Sequence, residues 1–233
     1  MEIIDLQNAT ALRTVLYRNL TRWYSKEIDH KCLLEMNSTL AMFADYNKGR
    51  NDNMLEKGIE IIKNFTGKHS DLTLLVDELA LKYTTIFLNV SPNGVVKHVH
   101  PYESVYLSPN KLVMQDQRDE VLEFYAEQQM GVADNFKEPE DHIAIELAFL
   151  QELNKRICKE LANNNMDDAL DKFEVHSKFM QQHLLKWVHL LGRDLIASDP
   201  NGFYAGLANI TIGFVKEDYM YVEEVMDYIK TCN

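Results

Sequence analysis

Apolar residues recur every three to four positions along almost the whole chain, and that rhythm decides what it can fold into. Leu12, Leu16, Leu20 and Trp23 set it first. Leu33, Met36, Leu40 and Phe43 repeat it behind Asp29, and Leu55, Ile59 and Ile62 repeat it behind Asn51-Asp52-Asn53. Leu72, Leu75, Leu79, Tyr83 and Ile86 follow, then Val121, Phe124 and Tyr125, then Ile143, Leu147, Leu150, Ile157 and Leu161. The pattern resumes at Leu184, Trp187, Leu191 and Leu195, restarts at Phe203 after Ser198-Asp199-Pro200-Asn201-Gly202, and closes with Tyr219, Val222, Met226 and Ile229. Such spacing puts one apolar stripe on each helix, and Asp5, Asp29 and Asp52 are residues that cap helix starts. No stretch alternates with period two between hairpin turns, so no strand is expected. The fold class predicted is all-α, bundle-like, with about nine or more helices. A chain of 233 residues can bury the core this requires without a metal or disulfide.

Two interruptions carry more information than the helices. The segment 89–114 contains Pro92, Gly94, Pro101 and Pro109 and cannot be one regular helix, because each proline removes a donor and restricts its predecessor. Connections this long inside compact domains are usually functional or disordered, and Tyr102 and Tyr106 argue that this one is ordered. The second interruption, 131–138, reads as a hinge between an N-terminal half, 1–130, and a C-terminal half, 139–233. Behind it, Glu138-Pro139-Glu140-Asp141-His142 reads as a helix start, with proline at the first helical position and carboxylates at the positive end of the macrodipole.

Charge and composition exclude several functions. Asp and Glu outnumber Lys and Arg by 36 to 24, giving a net charge of −12 that repels nucleic acid and attracts basic ligands. Cys32, Cys158 and Cys232 lack CxxC spacing and read as reduced thiols. The acidic start carries no secretory signal, and no uncharged apolar run would span a bilayer, so a cytoplasmic location is expected. The eight histidines form no His-Glu-x-x-His and no repeated Glu-x-x-His, which leaves a helical metalloenzyme as a weak rival even with His176, His183 and His189 on one helical segment. Nucleophile-elbow and phosphate-loop motifs are missing, so no enzymatic activity and no cofactor are expected.

Three segments together resemble a known family. Pro101-Tyr102-Glu103-Ser104-Val105-Tyr106 matches a P-[YW]-x-S-[VF]-[YW] loop, Glu138–His142 matches E-P-x-D-H, and Tyr83-Thr84-Thr85-Ile86-Phe87 ends the helix before the loop. His183-Leu184-Leu185-Lys186-Trp187 is similar to H-L-x-x-W, and Gly202-Phe203-Tyr204 to x-F-Y. The chain thereby resembles the TorD/DmsD/NarJ family of redox-enzyme maturation chaperones from about Leu12 to Lys230. The resemblance implies a cytoplasmic chaperone that binds the twin-arginine signal peptide, the apo catalytic subunit, or both, of a molybdopterin-dependent oxidoreductase of the DMSO-reductase type. It would hold that client until cofactor insertion and export. Weak guanine-nucleotide binding is implied only by the resemblance, and the protein would be a monomer or a domain-swapped dimer.

Carried over residue by residue, the resemblance makes Tyr83, Ile86 and Phe87 line a peptide groove. Pro101, Tyr102, Ser104 and Tyr106 would supply its loop wall, and Glu138, Pro139, Asp141 and His142 its polar end. Two departures are visible: Gln115 stands where several relatives have glycine, and Tyr83 and Tyr102 stand where others have tryptophan. The residue chemistry is compatible with this. A twin-arginine signal joins a basic head to an apolar stretch, carboxylates bind guanidinium bidentately, and tyrosine rings stack while their hydroxyls meet water. The alternative from the residues alone is a helical adaptor or scaffold without signal-peptide recognition.

Overall fold

The computed structural model describes residues 3–88, 90, 98–132 and 137–232. Among them it contains ten α-helices and no strand beyond one isolated bridge. In chain order these are α1 (Ile3–Ser25), α2 (His30–Asn47), α3 (Asn53–Thr66), α4 (Leu72–Phe87), α5 (Glu103–Leu107), α6 (Asp116–Glu127), α7 (Ile143–Ala162), α8 (Met166–Gln182), α9 (Leu184–Ser198) and α10 (Phe203–Cys232).

Local chemistry sets several of these starts. Asp29 accepts from the Cys32 N–H at the head of α2, Asp52 from Met54 and Leu55 at α3, and Asp71 from Thr73 and Leu74 at α4. Each satisfies donors that the first helical turn leaves open. Asp5 does not cap. The first helix already runs at Ile3, so Asp5 lies inside its first turn, where a carboxylate still favours the dipole. The segment 166–198 is two helices, α8 and α9, with the backbone at His183 turned out of helical geometry (φ −125°, ψ −91°). His176 and His189 therefore belong to separate helices. Proline does not open α7 either; that helix begins four residues beyond Pro139, at Ile143.

The described residues group into two compact units interleaved along the chain. The first comprises 1–21, 102–187 and 215–233, the second 22–101 and 188–214, so α1, α9 and α10 each contribute to both. The hinge expected at 131–138 concerns motion rather than this grouping, and residues 133–136 of it lie outside the described residues.

The core of the first unit packs Leu6 of α1 with Ile157 and Leu161 of α7, Phe173 of α8, and Val222, Val225 and Ile229 of α10. Beside it lies a buried polar network. Arg13 pairs with Asp218 through Nε and again through Nη2 at 3.0 Å, Tyr17 donates to Asp218 at 2.6 Å, and His176 Nε2 stands 3.1 Å from Arg13. Burying the Asp218 charge is unfavourable, but the Arg13 guanidinium outweighs that and holds the carboxyl below its usual range. In the second unit, Trp23 meets Phe43 and Phe203, and Phe43 and Tyr46 meet Phe214. There α3 and α10 cross at two glycines: a Cβ on Gly58 would lie 2.6 Å from the Gly206 carbonyl oxygen.

Candidate peptide-binding site

The tyrosine loop and the E-P-E-D-H segment meet, and the join is made mostly by backbone. Tyr102 and His142 form an antiparallel bridge, and the Glu103 N–H donates to the Asp141 carbonyl at 3.0 Å. The Asp141 carboxylate accepts the Ser104 N–H at 2.8 Å and so serves the first turn of α5. These bonds hold 138–142 in turn and extended geometry, which delays α7 to Ile143. His142 then becomes its N-cap, with Nδ1 accepting the Ala144 N–H at 3.0 Å. A ring nitrogen that accepts carries no proton, and burial pushes His142 down to about 3, so the side chain is neutral. The Tyr102 ring stands edge-on to His142, centroids 5.3 Å apart.

The carboxylates of this segment divide by exposure. Asp141 is fully buried and faces the loop backbone, while Glu138 is exposed and accepts the Tyr102 hydroxyl at 2.6 Å. Glu140, partly exposed, pairs with Arg118 of α6, whose hydrogen bond holds its carboxyl below the usual range. Tyr102 and Tyr106 are half-buried, and Tyr106 stacks on Trp187 of α9 with centroids 5.7 Å apart. Pro139 is half-buried and Ser104 is buried, its N–H spent on Asp141. All of these residues lie in the first unit.

Tyr83, Ile86, Phe87 and Pro101 are buried residues of the second unit. Tyr83 donates to the Tyr24 carbonyl at 3.3 Å, and its ring and that of Phe87 meet Tyr204 at centroid distances of 6.4 and 5.4 Å. Ile86 offers its carbonyl to the Val99 N–H at 2.8 Å, which ties the segment leading to Pro101 back to α4. Gln115 precedes α6 in ordinary extended backbone (φ −99°, ψ −175°), a conformation that does not call for glycine.

Beneath the loop lies a cluster that the sequence reading passed over. Glu103 of α5 and Glu146 of α7 are both buried. His183 Nδ1 stands 2.9 Å from Glu103, and Trp187 Nε1 donates to Glu146 at 3.2 Å. Burial raises Glu146 well above the usual carboxylate range, with the charge of Glu103 adding to it. The same carboxyls, after burial itself, push the Tyr125 hydroxyl upward. A signal for Glu146 did exist. It falls on the same helical face as Ile143, Leu147 and Leu150, and a carboxylate on an apolar stripe is one that needs a buried partner.

Among the described residues no group of three or more His, Cys, Asp or Glu side chains could hold a metal ion, and no helix is long and apolar enough to cross a membrane. Residues 48–192, more than half of the chain, match the model of the family described as nitrate reductase delta subunit. The chain belongs to this family, which is the TorD/NarJ family. Within it the chain is similar to proteins named chaperone protein TorD. With that of Shewanella pealeana it is 28% identical over 97% of this chain and 96% of the relative. With that of Shewanella sp. strain ANA-3 it is 28% identical over 97% and 100%, and with that of Vibrio atlanticus 32% over 62% and 64%. No solved structure matches it. As a member of the TorD branch the protein is a redox-enzyme maturation chaperone and not an enzyme.

Proposed function

We propose that this chaperone works in the cytoplasm, without a cofactor, by binding the twin-arginine signal peptide of a molybdopterin-dependent oxidoreductase of the DMSO-reductase type, together with the apo enzyme, until cofactor insertion and export. One observation carries the reading: a half-buried tyrosine, Tyr102, is fixed by backbone bonds beside an exposed carboxylate, Glu138, with Glu140 next to it. That arrangement suits a guanidinium, which stacks on an aromatic face while its fork engages a carboxylate. Asp141 and Ser104 serve by holding the loop, His142 and Pro139 by shaping its base, and Tyr106 by its stack on Trp187. Tyr83, Ile86, Phe87 and Pro101, in the second unit, are read as apolar contacts for the peptide. A choice between monomer and domain-swapped dimer belongs to this reading too, and a solution mass measurement addresses it.

The test is titration calorimetry with a synthetic twin-arginine peptide and a control in which both arginines are glutamine. The arginine peptide should bind at least about tenfold more tightly, the value of one hydrogen bond to a charged group. Glu138→Gln should remove most of that preference. Equal affinity for the two peptides would favour the scaffold reading instead.

A further inference from the structure

The buried carboxyls of the first unit do not balance as ordinary ion pairs. Glu103, Asp141 and Glu146 are 1%, 0% and 0% exposed and come from α5, the turn before α7, and α7 itself. A hydrogen-bond partner reaches one oxygen of each: His183 Nδ1 faces Glu103 Oε2, Trp187 Nε1–H faces Glu146 Oε2, and the Ser104 N–H faces Asp141 Oδ2. Glu146 Oε1 has no donor among the described residues, and the side chain within hydrogen-bonding reach is Glu103, itself an acceptor when ionised. Two carboxylates cannot stay in contact inside a protein without a proton between them, because desolvation and like-charge repulsion act in the same direction.

We propose that Glu146 is a neutral acid whose hydroxyl donates to Glu103, and that this shared proton positions the tyrosine loop for the client peptide. The inference rests on the peptide reading above for the role of the loop, though not for the proton. The resulting chain runs from the Trp187 N–H to Glu146, from Glu146 to Glu103, and from His183 to Glu103. It fastens α5 to α7 and to the start of α9, directly under the loop. Tyr106, which ends the motif, stacks on the same Trp187. Any positive charge on His183 meets Glu103 and lowers that carboxyl, so Glu146 is the member of the pair that has to hold the proton. Tyr125 of α6 is neutral, donating its hydroxyl to the Glu140 carbonyl at 3.2 Å, and Asp141 adds a further negative charge. Arg118 is committed to Glu140. When Glu146 ionises, its proton leaves to solvent, two adjacent buried carboxylates repel, and the side of the pair on the five-residue helix α5 is the one able to give way.

The experiment has one arm on the protein alone and one with peptide. Infrared spectroscopy of the full chain at neutral pH should show the carbonyl stretch of a protonated carboxylic acid, present in the wild type and in Asp141→Asn and absent from Glu146→Gln. Binding of the twin-arginine peptide, whose arginines do not titrate, should weaken about tenfold on the alkaline side in the wild type, the cost of one broken buried hydrogen bond. In Glu146→Gln, an amide that is neutral at every pH, that alkaline decline should vanish. A wild type without the band, or a Glu146→Gln protein that keeps either the band or the alkaline decline, overturns the shared proton. A band that behaves as expected beside a protein that binds no peptide at any pH overturns the positioning role and the peptide reading, but leaves the proton standing.

Discussion

At the scale of the residue, the chain buries ionisable groups in unequal ways, and its stability should depend on pH accordingly. Burial depresses His142 and His176 to about 3, against 6.5 for an ordinary histidine. The unfolded chain therefore binds protons at these positions below the ordinary value while the folded chain does not, and stability is lost as pH falls through that range. Each histidine contributes a slope of about 1.4 kcal/mol per pH unit. Glu146 has the opposite sign: its folded form keeps a proton that the unfolded chain releases above 4.5, so its contribution is lost as pH rises. Urea titrations across pH should show a maximum near the ordinary histidine value, and Glu146→Gln should flatten the alkaline side while steepening the climb between 4.5 and 6.5. The sequence showed which residues stand in the loop and in the acidic helix start. It could not show that Asp141 turns inward to a backbone N–H while Glu138 turns out, because the two differ in burial and not in chemistry. Nor does the sequence fix the charge of His142, which a helix start disfavours and the carboxylate of Glu146 favours; the Ala144 N–H on its Nδ1 makes the ring neutral.

At the scale of the element, apolar period alone placed most helices, and Asp29 and Asp52 cap where the sequence put them. What the period could not register was a break without proline or glycine. The turn between α8 and α9 is made at His183, where the side chain is drawn to Glu103, and no local propensity announces it. Similarly, Pro139 looks like a first helical residue, yet the bridge between Tyr102 and His142 wins those residues for extended backbone. The crossing of α3 and α10 was also silent in the sequence, because a glycine inside a helix reads only as a weakness. Here it is a requirement. Alanine at Gly58 should cost about 1–3 kcal/mol by forcing two backbones apart, more than the roughly 1 kcal/mol it returns in helix propensity. The urea midpoint of Gly58→Ala should therefore fall, whereas Gly131→Ala, with nothing within 4 Å of its Cβ, should leave it unchanged or raise it.

At the scale of the whole molecule, a net charge of −12 acts on any basic client before contact is made. Stopped-flow association with the twin-arginine peptide should slow by about tenfold or more as salt rises toward 1 M, while dissociation changes little, because apolar burial and short-range bonds are weakly screened. The interleaving of the two units also constrains how the protein comes into being. Leu6 of α1 lies in the same buried cluster as Val225 and Ile229 of α10. During vectorial synthesis α1 must wait with its apolar face uncovered until α10 has been made. A nascent copy that still lacks α10 is thus a client for protection rather than a provider of it.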